Sequence, residues 1–384
     1  MLRRVGTPLW AALATTVALT LGVAAPAAAS HKESPATDAA AVDAPLGVSL
    51  FEPVGPAQVA RMAKGGVDYA RFPLQWNFVE EKPGVYDFSY YDSFIVAAAR
   101  AHIDVLPVLI GTPSFIEHRD AAYPTAAAHL RSFAAFSRAA VQRYGPGGAL
   151  WRDHPGLRNP VKTWQIWNEP NLRIYAPGGR PSPTSYRSLL FHGYNAIKAI
   201  DPASEIVAAA MAPAAPISDR LFLRQLINSK GVPSHLDSVA VHPYARRPDQ
   251  SLTILRRFMR DLRSADIEDR GVWVSEIGWS SKGPVSAFQT KNPAGQAAAL
   301  RAVVERFRGR SEITLRGITW FSWRDNKPTI TRPPTNDWTP YAGLFTFYGF
   351  PKPAWTTFTK LAGGQPGVGP LPKEPYPQLR RSSY

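Results

Sequence analysis

From Leu46 to Gly364 the sequence switches, eight times over, between short β-branched runs and longer amphipathic runs. The strand-like runs are LGVSLF (46–51), VDYARFPL (67–74), DVLPVLIG (104–111), VKTWQIWNEPN (161–171), EIVAAAMAP (205–213), LDSVAVHPY (236–244), GVWVSEIGWS (271–280) and LRGITWFSW (315–323). Helix-like runs follow each of them, ending with AWTTFTKLAGG at 354–364. Strict alternation predicts a parallel sheet with helical crossovers. Eight pairs in roughly 320 residues predict an α/β chain folded as one (β/α)8 barrel, the TIM barrel. An open, doubly wound sheet is the competing architecture, but no G-x-G-x-x-G follows any of the strands. A barrel of this kind carries its chemistry at the C-terminal ends of its strands.

The ends of the chain read differently. Arg3 and Arg4 precede an apolar run from Leu9 to about Ala25, and Ala27, Ala28 and Ala29 follow. This is the pattern of a secretory signal peptide over 1–29, cut near Ala29, and it predicts a secreted, extracellular protein. Residues 30–44 read as a flexible lead, 45–362 as the catalytic barrel, and 363–384 as a Pro/Gly-rich basic tail. No later segment is apolar enough to span a bilayer. The absence of cysteine rules out disulfides and thiolate zinc, so the fold must rest on a large core. The formal charge of +15 raises affinity for anions such as an anionic cell envelope, and a solvated basic surface accounts for it as well. No nucleic-acid motif accompanies the charge. Eleven Trp and fourteen Tyr are many for this length, and a carbohydrate cleft, where sugar C–H faces stack on aromatic rings, is one use for them.

Two strand ends deliver carboxyl groups. Glu169 closes WQIWNEPN, where Pro170 stops the ladder and partial desolvation among tryptophans raises a carboxyl pKa. Glu276 closes VWVSEIGW, where a nearby Arg and Tyr would hold it ionised. A protonated and an ionised carboxyl across one bond are what glycosidic cleavage requires. No H-E-x-x-H, P-loop, G-x-S-x-G or metal-spaced His/Asp/Glu cluster offers another chemistry.

With these residues in hand, the chain resembles clan A of the glycoside hydrolases from its first strand to its eighth. WNEPN at 167–171 is similar to the clan's strand-four motif, and Glu276 to its strand-seven nucleophile. RFPLQW, GVYDFSYYD and GTPSF resemble the patterns of family 39 and family 5, with GTPSF leaning toward family 39. The resemblance implies retention by double displacement, with Glu169 as acid/base, Glu276 as nucleophile, Asn168 on the sugar 2-hydroxyl and no cofactor. It implies Arg71 beneath the nucleophile, and from the HPY run His242 in the sugar pocket and Tyr244 bonded to the nucleophile. It also implies a strand-eight tryptophan under the sugar. Trp320 and Trp323 compete for that place, and Trp323 is favoured as nearer the strand's end. Trp76 and Trp279 are candidates for the cleft lining and equally for packed core. Arg246 and Arg247 would suit an acidic sugar, though a solvated loop is the simpler reading. A transglycosylase on the same site, or a carbohydrate-binding wall protein without catalysis, remains an alternative to hydrolysis.

Overall fold

Strands buried on both faces need near-continuous apolar runs, and DVLPVLI is such a run. The computed structural model describes residues 44–117, 121–213, 215–310, 312–326 and 337–373. The expected signal peptide, nearly all of the flexible lead and the last residues of the tail lie outside these.

The elements in order are β1 (Leu46–Ser49), α1 (Pro56–Lys64), β2 (Tyr69–Gln75), α2 (Trp76–Val79), α3 (Ser89–Arg100), β3 (Asp104–Ile110), α4 (Ala127–Tyr144), α5 (Ala149–Asp153) and β4 (Thr163–Ile166). There follow α6 (Pro183–Lys198), β5 (Glu205–Ala208), α7 (Asp219–Ile227), β6 (Ser238–Val241), α8 (Pro248–Arg263), β7 (Val272–Ile277), α9 (Pro293–Arg308), β8 (Leu315–Trp320) and α10 (Pro353–Leu361). Pro56, Pro183, Pro248, Pro293 and Pro353 each open a helix, where the missing N–H costs nothing and the fixed φ is already helical. Ser182, Ser218 and Asn292 cap α6, α7 and α9, each accepting the backbone N–H three residues on.

All eight strands are parallel and hydrogen-bonded in chain order, and the sheet closes where Leu46 and Val48 of β1 pair with Ile318 and Trp320 of β8. The expected (β/α)8 barrel is therefore the architecture found. Its interior is filled rather than hollow. Tyr69, Leu106, Val207, Ala240 and Trp273 pack across it, with Tyr69 hydrogen-bonded to Thr319 at 2.8 Å. A Cβ on Gly317 would sit 2.6 Å from the Trp273 ring, so the small residue on β8 makes room for the large one on β7. Among the described residues no helix is long and apolar enough to cross a membrane.

One expectation about extent is corrected. β8 ends at Trp320 rather than Trp323, and past it single hydrogen bonds continue, from Phe321 N–H to Ile277 O and from Trp323 N–H to Ser49 O. The start of the expected tail is tied to α1: Gln365 N–H donates to Lys64 O at 2.8 Å, and Arg61 donates to the carbonyls of Pro366, Val368 and Gly369. Leu371 is buried, which gives this Pro/Gly-rich stretch an apolar anchor.

Candidate active site

The site is assembled at the C-terminal mouth of the barrel by residues that alternate inward along β2, β4, β6 and β7. On β2, Tyr69 and Arg71 point into the barrel while Ala70 and Phe72 point out to the helices. Arg71 is 1 % exposed and spends its whole fork on three partners. Nη1 donates to Glu276 Oε1 at 2.6 Å, Nη2 to Asn168 Oδ1 at 2.7 Å and Nε to Gln165 Oε1 at 3.1 Å. Because arginine only donates, the Asn168 carbonyl must face it, and the amide NH2 is turned the other way.

The backbone does unusual work after β4. Trp167 and Glu169 have φ of 67° and 43°, the left-handed region that non-glycine residues rarely adopt. Trp167 N–H donates across to Leu109 O and Glu169 N–H to Ala210 O, so the chain is tied alternately toward β3 and β5. Asn171 locks the exit, accepting from Ala212 N–H and donating to the carbonyls of Ala212 and Ile217. On the other side, the β7–β8 pairing slips between Val274 and Ile277. Such an irregularity re-aims side chains, and Glu276 lies within it.

Glu276 is held by Arg71 on Oε1 and by the Tyr244 hydroxyl on Oε2 at 2.8 Å. Glu169 Oε1 is 2.9 Å from His242 Nδ1, while His242 Nε2 lies 3.7 Å from Glu276 Oε1. Ligating atoms of Glu169, His242 and Glu276 all lie within 4.8 Å of one another. Burial pushes the Glu169 carboxyl above its ordinary value, and the neighbouring Glu276 adds to this, while His242 and Arg71 oppose it without reversing it. Burial also acts to raise Glu276, but His242, Arg71 and Tyr244 together outweigh it and hold Glu276 below its ordinary value. Two like side chains are thus driven apart in acidity, as a division between proton donor and anion needs. The same three residues form the one grouping among the described residues with donors close enough to share a cation. The Arg71 guanidinium already neutralises Glu276 and works against such an ion.

Arg71, Asn168, Glu169, His242, Tyr244 and Glu276 therefore come together as a single cluster. The four tryptophans do not, and their expected place in the cleft is corrected. Trp76 is stacked on Phe136 and donates to Glu80 outside the barrel. Trp279 donates to Ala245 O and packs on Trp320, whose own N–H donates to Ala342 O. Trp323 donates to Gln58 of α1 and packs against Phe345 and Trp355. All four are at most 2 % exposed. The reason is alternation: Thr319 faces the barrel interior, so Trp320 faces out, and past the turn Trp323 joins the helical layer. Arg247 is paired with Asp249 at the start of α8 rather than with the carboxylates.

The residues overlooked in the sequence are Gln165, Tyr175, Phe321 and Trp338. Phe321 packs beside the cluster, 5.3 Å from Phe51 and 6.4 Å from Tyr244 between ring centroids. Trp338 packs on Tyr244 at 5.2 Å. Tyr175 meets Asn168 and lies in the field of both glutamates. Gln165 was visible as the one amide in the run WQIW. Tyr175 and Trp338 sit in loops without periodicity and gave no signal.

A filled (β/α)8 barrel with a carboxyl pair at its C-terminal mouth is the class of protein that fold and site define. The chain matches neither a protein-family model nor a curated protein. Solved structures with the same barrel include a family 39 glycoside hydrolase from Bacteroides cellulosilyticus, with TM-score 0.63 and 21 % identity over 83 % of this chain and 64 % of that one. A monomeric β-xylosidase from Caulobacter crescentus has TM-score 0.57 and 20 % identity over 83 % of this chain and 71 % of that one. A GH5_18 variant from Streptomyces cattleya, solved with Manb1-4GlcNAc, has TM-score 0.61 and 16 % identity over 86 % and 83 %. The chain thus spans under two thirds of the Bacteroides enzyme's length. At these identities the likeness is one of fold.

Proposed function

We propose that this protein is a secreted, retaining glycoside hydrolase acting on β-glycosides. The observation that carries the reading is the pair Glu169 and Glu276, with oxygens within 4.8 Å and acidities driven in opposite directions. A retaining enzyme needs its carboxyl groups about 5 Å apart, whereas inversion needs room for a water between them. The β-xylosidase and exo-β-1,4-mannosidase named among barrels of the same fold favour β-linked substrates.

In this mechanism Glu276 Oε attacks the anomeric carbon as Glu169 gives its proton to the departing glycosidic oxygen. A glycosyl ester on Glu276 results. Glu169, now ionised, takes a proton from water, and the water oxygen displaces Glu276 to release the sugar with its configuration kept. Arg71 and Tyr244 hold Glu276 ionised and aimed. The outward amide of Asn168 donates to the 2-hydroxyl most strongly as positive charge builds on the ring. The basic surplus assists retention at an anionic envelope once the leader is removed.

The test is hydrolysis of a panel of aryl β-glycosides and polysaccharides by the protein, Glu169→Ala and Glu276→Ala. Glu276→Ala should lose turnover on every substrate. Glu169→Ala should lose about 100-fold or more on substrates with poor leaving groups, the usual worth of a general acid, and less where the leaving group needs no proton. Near wild-type rates in Glu276→Ala would sink the assignment.

A further inference from the structure

We propose that a second carbohydrate-binding site lies on the rim of the barrel, between the loops that follow β7 and β8, and that it takes a β-1,4-linked polysaccharide chain. The proposal rests on the glycoside hydrolase reading. A hollow of about 940 Å³ opens there, lined by Lys282, Tyr341, Phe347, Tyr348, Phe350 and the ring of Pro353. That is at the upper end for a ligand site, suiting a stretch of chain rather than one monosaccharide.

Three aromatic residues within four positions are exposed: Phe347 by 39 %, Tyr348 by 78 % and Phe350 by 57 %. Clustered apolar exposure of this kind marks a binding surface. The segment that carries them is a tight turn held from several sides. Thr346 N–H donates to Phe350 O at 2.8 Å, Phe350 N–H to Thr346 Oγ1 at 3.0 Å, and Gly349 N–H to Thr346 O at 2.9 Å. Phe345 bridges antiparallel to Pro351. From the far side Leu371 N–H donates to Gly349 O at 2.8 Å. The rings are therefore presented outward with little ordering left to lose on binding.

Chemistry and position point to a glycan. A β-1,4-linked pyranose chain has flat C–H faces for the rings and hydroxyls at its edges for a polar rim. Here the rim is supplied by the Lys282 ammonium, 4.7 Å above the Tyr341 ring. The loop carrying Lys282 follows β7, the strand that bears Glu276, and Ser281 N–H ties it to Tyr341 O at 3.0 Å. The hollow therefore lies among the loops at the C-terminal ends of the strands, the side of the barrel that carries the carboxyl pair.

The experiment is native affinity electrophoresis of the full chain in gels containing xylan, glucomannan or hydroxyethylcellulose, alongside Tyr348→Ala/Phe350→Ala. Both replaced residues are exposed, and unfolding curves verify that the variant is folded. Expected is retardation by at least one polysaccharide, weakened about tenfold in the variant, since two lost ring contacts remove this much, with aryl β-glycoside turnover unchanged. Retardation that is absent, or equal in the variant, overturns the proposal. So does sedimentation showing that the variant merely converts a dimer to a monomer, which would assign the aromatics to a second copy of the chain. Failure of the functional reading is seen separately, as no aryl glycoside turnover by the unaltered protein.

Discussion

Glu169 and Glu276 differ only in their surroundings, and Arg71 and Tyr244 mark the difference. Both bond Glu276, whereas Arg71 meets the Glu169 strand only through the side chains of Gln165 and Asn168. The pH profile follows. In the proposed mechanism Glu276 must be ionised, and its lowered pKa places the acid limb of kcat/KM below the ordinary glutamate value of 4.5. Glu169 must be protonated, and its raised value places the alkaline limb above 4.5. Arg71→Met removes the charge and leaves the burial, so the acid limb should move to higher pH while kcat falls on the order of 100-fold. Stability carries the same sign. The lowered Glu276 contributes stability above its unfolded value that disappears as pH falls through its folded value, whereas the raised Glu169 contributes below its unfolded value and loses this as pH rises through its folded one. In Arg71→Met the first contribution vanishes, so the gap in melting temperature from the unaltered protein should narrow on acidification. An acid limb that does not move would show that Arg71 does not set the ionisation of Glu276.

At the scale of elements, the segment between β8 and α10 is held by a buried ion pair. Lys352 Nζ, at the N-cap of α10, lies 2.5 Å from Asp325 Oδ1 and 3.0 Å from Tyr341 O, while Asp325 also accepts from Gly343 N–H. Burial pushes Asp325 up to about 6 even beside this lysine. Lys352→Met would strand the carboxylate, a loss that costs about 3–5 kcal/mol in comparable buried pairs. Urea unfolding at pH 8 should show this loss. At pH 5 it should shrink, because Asp325 takes up a proton in the folded state more readily than in the unfolded one. An equal loss at both pH values would mean that the uncompensated charge is not the cause. The same ion pair lies beneath the exposed aromatics of the rim, so Lys352→Met should also disturb their presentation.

At the scale of the whole molecule, the stretch that follows α10 ties α1 to the turn that follows β8, through Arg61 and Lys64 at one end and Gly349 at the other. Gly364 approaches the backbone of Gly65 so closely that a Cβ would lie 2.1 Å from its carbonyl carbon. Ending the chain at Ala362 removes this contact, the Arg61 hydrogen bonds and the anchor of Leu371. The melting temperature should then fall by on the order of 5 °C, from a few kcal/mol of lost burial and hydrogen bonding. An unchanged value would show that these contacts contribute nothing to the stability of the barrel. The sequence by itself determined the barrel, since strand and helix periods are local and eight repeats leave few ways to bury both faces. It also singled out Glu169 and Glu276 as candidates, because each closes an apolar strand and strand ends are where a barrel keeps its chemistry. Tertiary structure decided which rings stand beside the carboxyl pair. That depends on where β8 stops and which way Thr319 points, and it sent Trp320 and Trp323 to the outer layer and left Phe321 beside Tyr244. It also decided that His242 stands between the two carboxyl groups, and that Tyr175 and Trp338 join them from loops. Contacts between residues far apart in the chain are set by closure and register, which no run of neighbouring residues encodes.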